Sequence, residues 1–432
     1  MTPHRVRSGE AYVEFCLPRL WEAEEVAPAH LPPLPLEEAL DEALRHPLAA
    51  PPLEQLARGC RRALLVVPDH TRPGPEPDLL PWLRDCLRRA GVGEMRLLIG
   101  TGLHRPMGEG EIFTRHGAVA AFECRARNHV ADDPSALADL GRTSQGIPAL
   151  FNREVVEADL VLSTGLVEPH QYAGFSGGYK TVCIGAAGES TIEATHGPPF
   201  LSRPGVGLGR LAGNPFQEVL EELARLARHR FCVNYVLDDL GRPVGLAAGQ
   251  PGRVLEALAE RYRPFWFAHL RGRFQVALVG VPHPKSDNLY QASRAATYVA
   301  LTEPAVLEPG ATIIVAAPCP EGAGRGLGEK RFFEALQAHP PGVLLERLAA
   351  GGSRAGEQRA WMVARVLQRH RVVVAGSTLD RRAVEAAGLE WAQSVQEALE
   401  REAARRPQAR CLVVPDPFHR LPEGLPQDGQ PG

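Results

Sequence analysis

Seven short runs rich in Val, Ile and Leu punctuate the chain, at 63–68, 95–100, 160–163, 276–281, 311–317, 372–375 and 411–414. Between and around them, apolar residues recur at helical spacing over 36–45, 79–90, 215–227, 252–262, 331–338, 358–369 and 394–405. A continuous apolar run is the mark of a strand buried on both faces, and strands separated by helices build parallel sheets. The stretch 215–227 is the best-marked helix. Asn214 can cap it, Pro215 suits its first turn, and Phe216, Val219, Leu220, Leu223, Leu226 and Ala227 share one face. The pattern predicts an α/β protein of two α/β domains with mostly parallel sheets. A break near 265–273 gives an N-terminal domain over 1–268 and a C-terminal domain over 269–416, with 417–432 a polar, Pro/Gly-rich disordered tail.

Composition narrows the class. The 432 residues are 44% apolar and 23% charged with a net charge of −3, enough for two or three soluble domains. No run approaches the roughly 18 apolar residues of a membrane span. The first residues lack a basic-then-apolar secretion signal, and the arginines are dispersed rather than clustered. These features predict a cytoplasmic enzyme that binds neither membrane nor nucleic acid. The cysteines at 16, 60, 86, 124, 183, 232, 319 and 411 form no CxxC pair, which argues against a zinc ribbon or a disulfide framework. The sharper signal is in the bases. Of 48 Lys+Arg, only Lys180, Lys285 and Lys330 are lysine. Arginine replaces lysine as a surface charge but not as a nucleophile, because its guanidinium stays protonated.

Three strand predictions end in clusters of reactive side chains. One is Pro68-Asp69-His70-Thr71-Arg72-Pro73, the second Thr101-Gly102-Leu103-His104-Arg105-Pro106, and the third Glu168-Pro169-His170. Ligands of open α/β sheets bind beyond the carboxyl ends of strands, so the three point to one site. The third runs into Gly174-Phe175-Ser176-Gly177-Gly178-Tyr179-Lys180-Thr181, a P-loop in all but one position. Tyr179 replaces the last glycine, which argues against a triphosphate nest but leaves the Gly177 and Gly178 amides for a single phosphate. His196 follows Lys180 by 16 residues. Two imidazoles, an arginine, an amine and a third imidazole suit acid–base work on a small carboxylate or phosphate. They equally suit a His₃ zinc site built from His104, His170 and His196. The sequence Leu-Val-Val-Pro-Asp at 65–69 also returns at 412–416.

Taken together, Asp69–Pro73, Thr101–Pro106, Pro169–Lys180 and the segment ending in His196 resemble the nickel-dependent lactate racemase family. Asn128-His129, Gly213-Asn214-Pro215 and Tyr290-Gln291-Ala292 extend the similarity from about residue 10 to 416. The resemblance implies a racemase or epimerase of 2-hydroxy acids. Its cofactor would be a nickel-pincer nucleotide (pyridinium-3,5-bisthiocarboxylic acid mononucleotide), made by separate biosynthetic enzymes and joined covalently to Lys180. By the same resemblance His196 is the nickel ligand. Asp69, Thr71, Ser176, Gly177 and Gly178 lie along the cofactor, and His104 and His170 are the acid–base pair, one for each face of the substrate. Arg72 would lie near the cofactor or the substrate anion, and Gln291 and Arg294 would serve the substrate. The active site would sit in the cleft between the two α/β domains, with the C-terminal domain closing over the substrate.

Two positions depart from the family's lactate enzymes. Arg294 stands where they carry lysine, and Gln358 where a tryptophan is expected, with Trp361 one turn away. A wider or more polar pocket follows, and with it a 2-hydroxy acid larger or more polar than lactate. The alternatives are a zinc-dependent hydrolase on the three histidines and a non-catalytic cofactor carrier. The sequence leaves the oligomeric state open.

Overall fold

The computed structural model describes residues 3–27 and 29–425. All seven apolar runs are strands and all seven periodic stretches are helices. The chain divides into two compact units, residues 31–263 on one hand and residues 264–432 with residues 1–30 on the other.

The unit over 31–263 holds a six-stranded sheet. Its order is Pro243–Gly249, His229–Leu237, Leu160–Leu166, Arg62–Pro68, Glu94–Gly100 and Arg127–Asn128, antiparallel only at the Pro243–Gly249 edge. Strand Arg62–Pro68 lies between Leu160–Leu166 and Glu94–Gly100, and Leu64, Leu65, Val66 and Val67 along it are wholly buried. Central position explains its unbroken apolar run, since neither face meets water. The same order makes the three polar strand ends immediate neighbours at one carboxyl edge.

The second unit is built on an eight-stranded sheet. Phe274–Pro282 pairs in parallel with Leu307–Ala316, Arg410–Val414 and His4–Gly9, while Arg371–Ala375 and Glu390–Ala392 extend the sheet beyond Leu307–Ala316. This corrects the expected boundary at 268. His4–Gly9 and Ala11–Phe15 form a hairpin that buries Val6 and Phe15, and Glu22–Glu25 pairs with Arg410–Val414, so the N-terminal thirty residues join the second unit. The expected disordered tail at 417–432 is structured over 417–425, where Leu421–Gly424 pairs in parallel with Phe267–Leu270 and both Leu421 and Phe418 are buried; the rest of that expectation, 426–432, lies outside the described residues. Among the described residues no helix is long and apolar enough to cross a membrane.

Candidate active site

Asp69 follows the central strand and is buried. Its Oδ1 accepts the Thr71 amide at 3.0 Å and the Thr71 hydroxyl at 2.7 Å, closing a tight turn that fixes the carboxylate plane. Its Oδ2 lies 2.5 Å from Nδ1 of His104. Burial alone would raise the Asp69 pKa, but the His104 imidazole, His70 and the Thr71 hydroxyl overcome it and hold the carboxyl far below the usual range. An ionised acceptor at Nδ1 keeps that nitrogen protonated and leaves the lone pair of neutral His104 on Nε2. The loop carrying His104 is itself anchored. Gly102 turns with a left-handed φ of 54° and bonds to Gly185, while the Asn128 amide exchanges two hydrogen bonds with the Met107 backbone.

Arg72 belongs to the same turn, and its Nε pairs with Glu168 at 3.2 Å from the end of the neighbouring strand. Behind the turn sits a polar cluster with no counterpart in the sequence reading. Glu76 is wholly buried and accepts from Thr164 Oγ1 at 2.9 Å, from Tyr235 Oη at 2.7 Å and from Arg115. Arg115 also donates to the carbonyls of Arg72 at 2.8 Å and Gly74 at 3.1 Å, clamping the turn from below. A Cβ on Gly74 would meet the Tyr235 hydroxyl at 2.0 Å, so only glycine lets the clamp close.

His170 is oriented differently from His104. Its Nδ1 accepts the amides of Tyr172 at 3.2 Å and Ala173 at 3.3 Å, and its Nε2 contacts Nζ of Lys180. The glycines before Lys180 hold left-handed φ values of 84° at Gly177 and 56° at Gly178. Here the structure departs from a phosphate-binding loop. The Gly178 amide donates to the buried Asn234 Oδ1 at 2.6 Å, and the Ser176 hydroxyl donates to the Leu166 carbonyl at 2.7 Å. Both groups are committed inside the protein, so Ser176 and Gly178 shape the approach to Lys180.

His196 ends the helix Glu189–His196 and is buried. The Thr195 hydroxyl gives its proton to the Thr191 carbonyl at 2.8 Å and accepts from His196 Nδ1 at 2.9 Å, with the Ile192 carbonyl 3.2 Å from the same nitrogen. Nδ1 therefore carries the proton, and Nε2 is the lone-pair nitrogen a metal requires. The Tyr172 ring meets both His170 and His196 edge-on, at 5.3 and 5.7 Å, which brings the two imidazoles into one neighbourhood. Among the described residues no three His, Cys, Asp or Glu side chains gather to hold a metal ion.

Gln291 and Arg294 belong to the other unit, on the helix Leu289–Ala300. Arg294 is 2% exposed; its guanidinium donates to Gln291 Oε1 at 3.3 Å and to Tyr298 Oη, and lies over the ring of Phe418 at 5.6 Å. Gln358 donates to Tyr290 Oη at 3.3 Å, so it does face the helix that carries Gln291 and Arg294. Trp361, one turn on, is covered by Arg365 at 4.8 Å.

Residues 8–209 match the lactate racemase N-terminal domain and residues 278–419 the lactate racemase C-terminal domain. The lactate racemase of Lactiplantibacillus plantarum is 30% identical over 400 residues, covering 88% of this chain and 89% of that protein. That of Thermoanaerobacterium thermosaccharolyticum is 28% identical over 384 residues, with the same coverage of 88% and 89%. The solved lactate racemase apoprotein from T. thermosaccharolyticum shares the fold with a TM-score of 0.84 at 23% identity, over 98% of this chain and 100% of that one. A Thermotoga maritima protein of known structure aligns with a TM-score of 0.70 at 20% identity, over 92% and 100%. The fold is that of a two-unit α/β enzyme with its polar strand ends gathered at a sheet edge. The chain belongs to the lactate racemase family, and with it to the isomerases.

Proposed function

We propose that this chain racemises or epimerises a 2-hydroxy acid larger or more polar than lactate, using a nickel-pincer nucleotide tethered to Lys180. The observation that carries the reading is the opposite wiring of two imidazoles, with His104 Nδ1 on the Asp69 carboxylate and His170 Nδ1 on two backbone amides. The residues present suit the group: an amine in a glycine turn, and an imidazole whose Nδ1 is bonded so that Nε2 can ligate. Lys180 would hold the nucleotide covalently, His196 would bind its nickel, and Asp69 and Thr71 would contact it beside the turn through Ser176, Gly177 and Gly178. When bound, it supplies a reversible hydride acceptor for the substrate carbon. Separate biosynthetic enzymes provide it.

The remaining steps belong to the chain's own side chains. His104 takes the substrate's hydroxyl proton on Nε2, and the buried Asp69 carboxylate stabilises the imidazolium that forms. His170 donates its Nε2–H to a substrate oxygen, holding the planar keto acid while its faces exchange. Arg72, oriented by Glu168, would read an anionic group as a planar donor; in the other unit, Arg294 with Gln291 are the residues proposed to serve the substrate. An amide at Gln358 leaves room and a polar contact where an indole would fill space. A carrier without turnover would have no use for the Asp69–His104 pair.

The test is intact mass, peptide mapping and metal analysis of protein co-expressed with the cofactor pathway. A nucleotide-sized adduct on the Lys180 peptide with stoichiometric nickel is expected. Unmodified Lys180 with bound zinc would overturn the reading.

A further inference from the structure

We infer that His170 holds Lys180 as a neutral, nucleophilic amine in the protein before any cofactor is attached. This rests on the reading of Lys180 as the attachment point, but it concerns the state of the amine itself. Two backbone N–H groups, from Tyr172 at 3.2 Å and Ala173 at 3.3 Å, converge on His170 Nδ1. Two donors aimed at one ring nitrogen require a lone pair there, so the proton of the neutral ring sits on Nε2. That same Nε2 is within hydrogen-bonding reach of Lys180 Nζ. An N–H at Nε2 needs an acceptor, and an ammonium group has only donors, whereas a neutral amine has one lone pair. The contact is therefore Nε2–H donating to Nζ, and protonation of the amine would set donor against donor.

The surroundings fix both partners. The Lys180 amide bonds to the Gly177 carbonyl at 3.1 Å, and the Tyr172 ring packs edge-on against His170 at 5.3 Å. An amine kept neutral attacks an acyl carbon that bears a leaving group, forming the C–N bond as that group departs with its electron pair and the amine gives up a proton. His170 would thus serve twice, first by presenting the amine and later, with that nitrogen acylated, by turning the same Nε2–H toward substrate.

The scarcity of lysine makes this measurable without cofactor. Lys180 is partly buried, Lys285 is 3% exposed and Lys330 is exposed, so Lys330 serves as an internal reference. The probe is acetic anhydride on the full-length, cofactor-free chain, read by peptide mass spectrometry. Nζ bonds to one carbonyl carbon, acetate leaves, and the amine proton passes to buffer. At pH about 7.5 an ordinary lysine, with a pKa of about 10.4, is only about 0.1% neutral. Lys180 is therefore expected to acetylate at least about ten-fold faster than Lys330, and His170→Phe to abolish that lead. Urea-unfolded chain, in which the two lysines should react alike, keeps the wild-type ratio interpretable if His170→Phe does not fold. Slower acetylation of Lys180 than Lys330 in the folded wild type, or an unchanged lead in folded His170→Phe, overturns the inference. Fast acetylation with no adduct in the loaded protein would instead sink the attachment reading and leave the inference standing.

Discussion

Asp69 Oδ2 lies 2.5 Å from Nδ1 of His104, and Thr71 holds the other oxygen of the same carboxylate twice over. The carboxylate cannot rotate, so it sets the tautomer of His104 and awaits the charge that forms on it. Asp69→Asn would keep the shape and remove that charge. We expect the Lys180 adduct to form normally and kcat to fall by about 10²–10⁴-fold, the usual span for a lost acid–base contribution. Comparing turnover with adduct occupancy in the same preparation checks this, and near-wild-type kcat at full occupancy would refute the role.

The two histidines should not be equivalent. Glutamine keeps an N–H donor but offers no base of useful strength. His104→Gln is therefore expected to abolish proton removal, with kcat down by about 10³-fold or more. His170→Gln is expected to lose far less, because an amide N–H can still bond a substrate oxygen. Equal losses at full adduct occupancy would restore a symmetric two-base scheme.

Lys180→Arg tests the amine itself. Positive charge is retained and nucleophilicity is not. Intact mass after co-expression with the cofactor pathway should show no adduct on the variant, while circular dichroism remains that of the wild type. A normal adduct would mean that attachment lies elsewhere.

The strand Arg62–Pro68 was readable because a strand flanked on both sides and covered on both faces must be apolar throughout. His4–Gly9 was not, because its residues alternate charge with Val6 and its partner, Phe274–Pro282, lies more than 250 residues away. Lys180, His196, His104 and His170 were readable as residue types at strand ends or in a glycine turn. Their tautomers were not, since these depend on Thr195, on the Tyr172 and Ala173 amides and on Asp69. Arg115 and Glu76 each look like ordinary helix charges until the fold buries them beneath the Arg72–Gly74 turn. The repeated Val-Val-Pro-Asp proves to be a repeated device. Asp416 Oδ1 accepts the Phe418 amide at 2.9 Å and its Oδ2 lies 2.6 Å from His419 Nδ1, as Asp69 does with Thr71 and His104.

Substrate preference should move with two side chains of the second unit. Arg294 is packed between the rings of Tyr298 and Phe418, so its planar fork is pre-set for a carboxylate. Arg294→Lys is expected to raise KM by about ten-fold, close to the cost of one lost charge-assisted bond, with kcat changed less. Gln358→Trp would fill the space beside Tyr290 and shift preference toward lactate among a series of 2-hydroxy acids. A preference order unchanged by Gln358→Trp would remove that position from the specificity argument.

Acid should loosen the fold before most carboxylates titrate, because histidines are buried neutral, among them His129, His116 and His229. Burial, opposed in part by the Ala187 carbonyl, takes His129 down to about 4. Burial and then Arg115 take His116 to about 4, and burial takes His229 to about 3. In the unfolded chain each returns to about 6.5, so between pH 6.5 and 4 the unfolded state binds more protons and stability falls as pH falls. Each site forfeits on the order of 3 kcal/mol across that window, fully present above about pH 6.5. Thermal unfolding from pH 7.5 to 4.5 should show Tm dropping steeply once the pH passes below about 6.5. His129→Gln, whose amide can still donate to the Ala187 carbonyl now bonded by His129 at 2.8 Å, should flatten the decline. A Tm that holds level to pH 5 would show that these imidazoles take up protons without leaving their places.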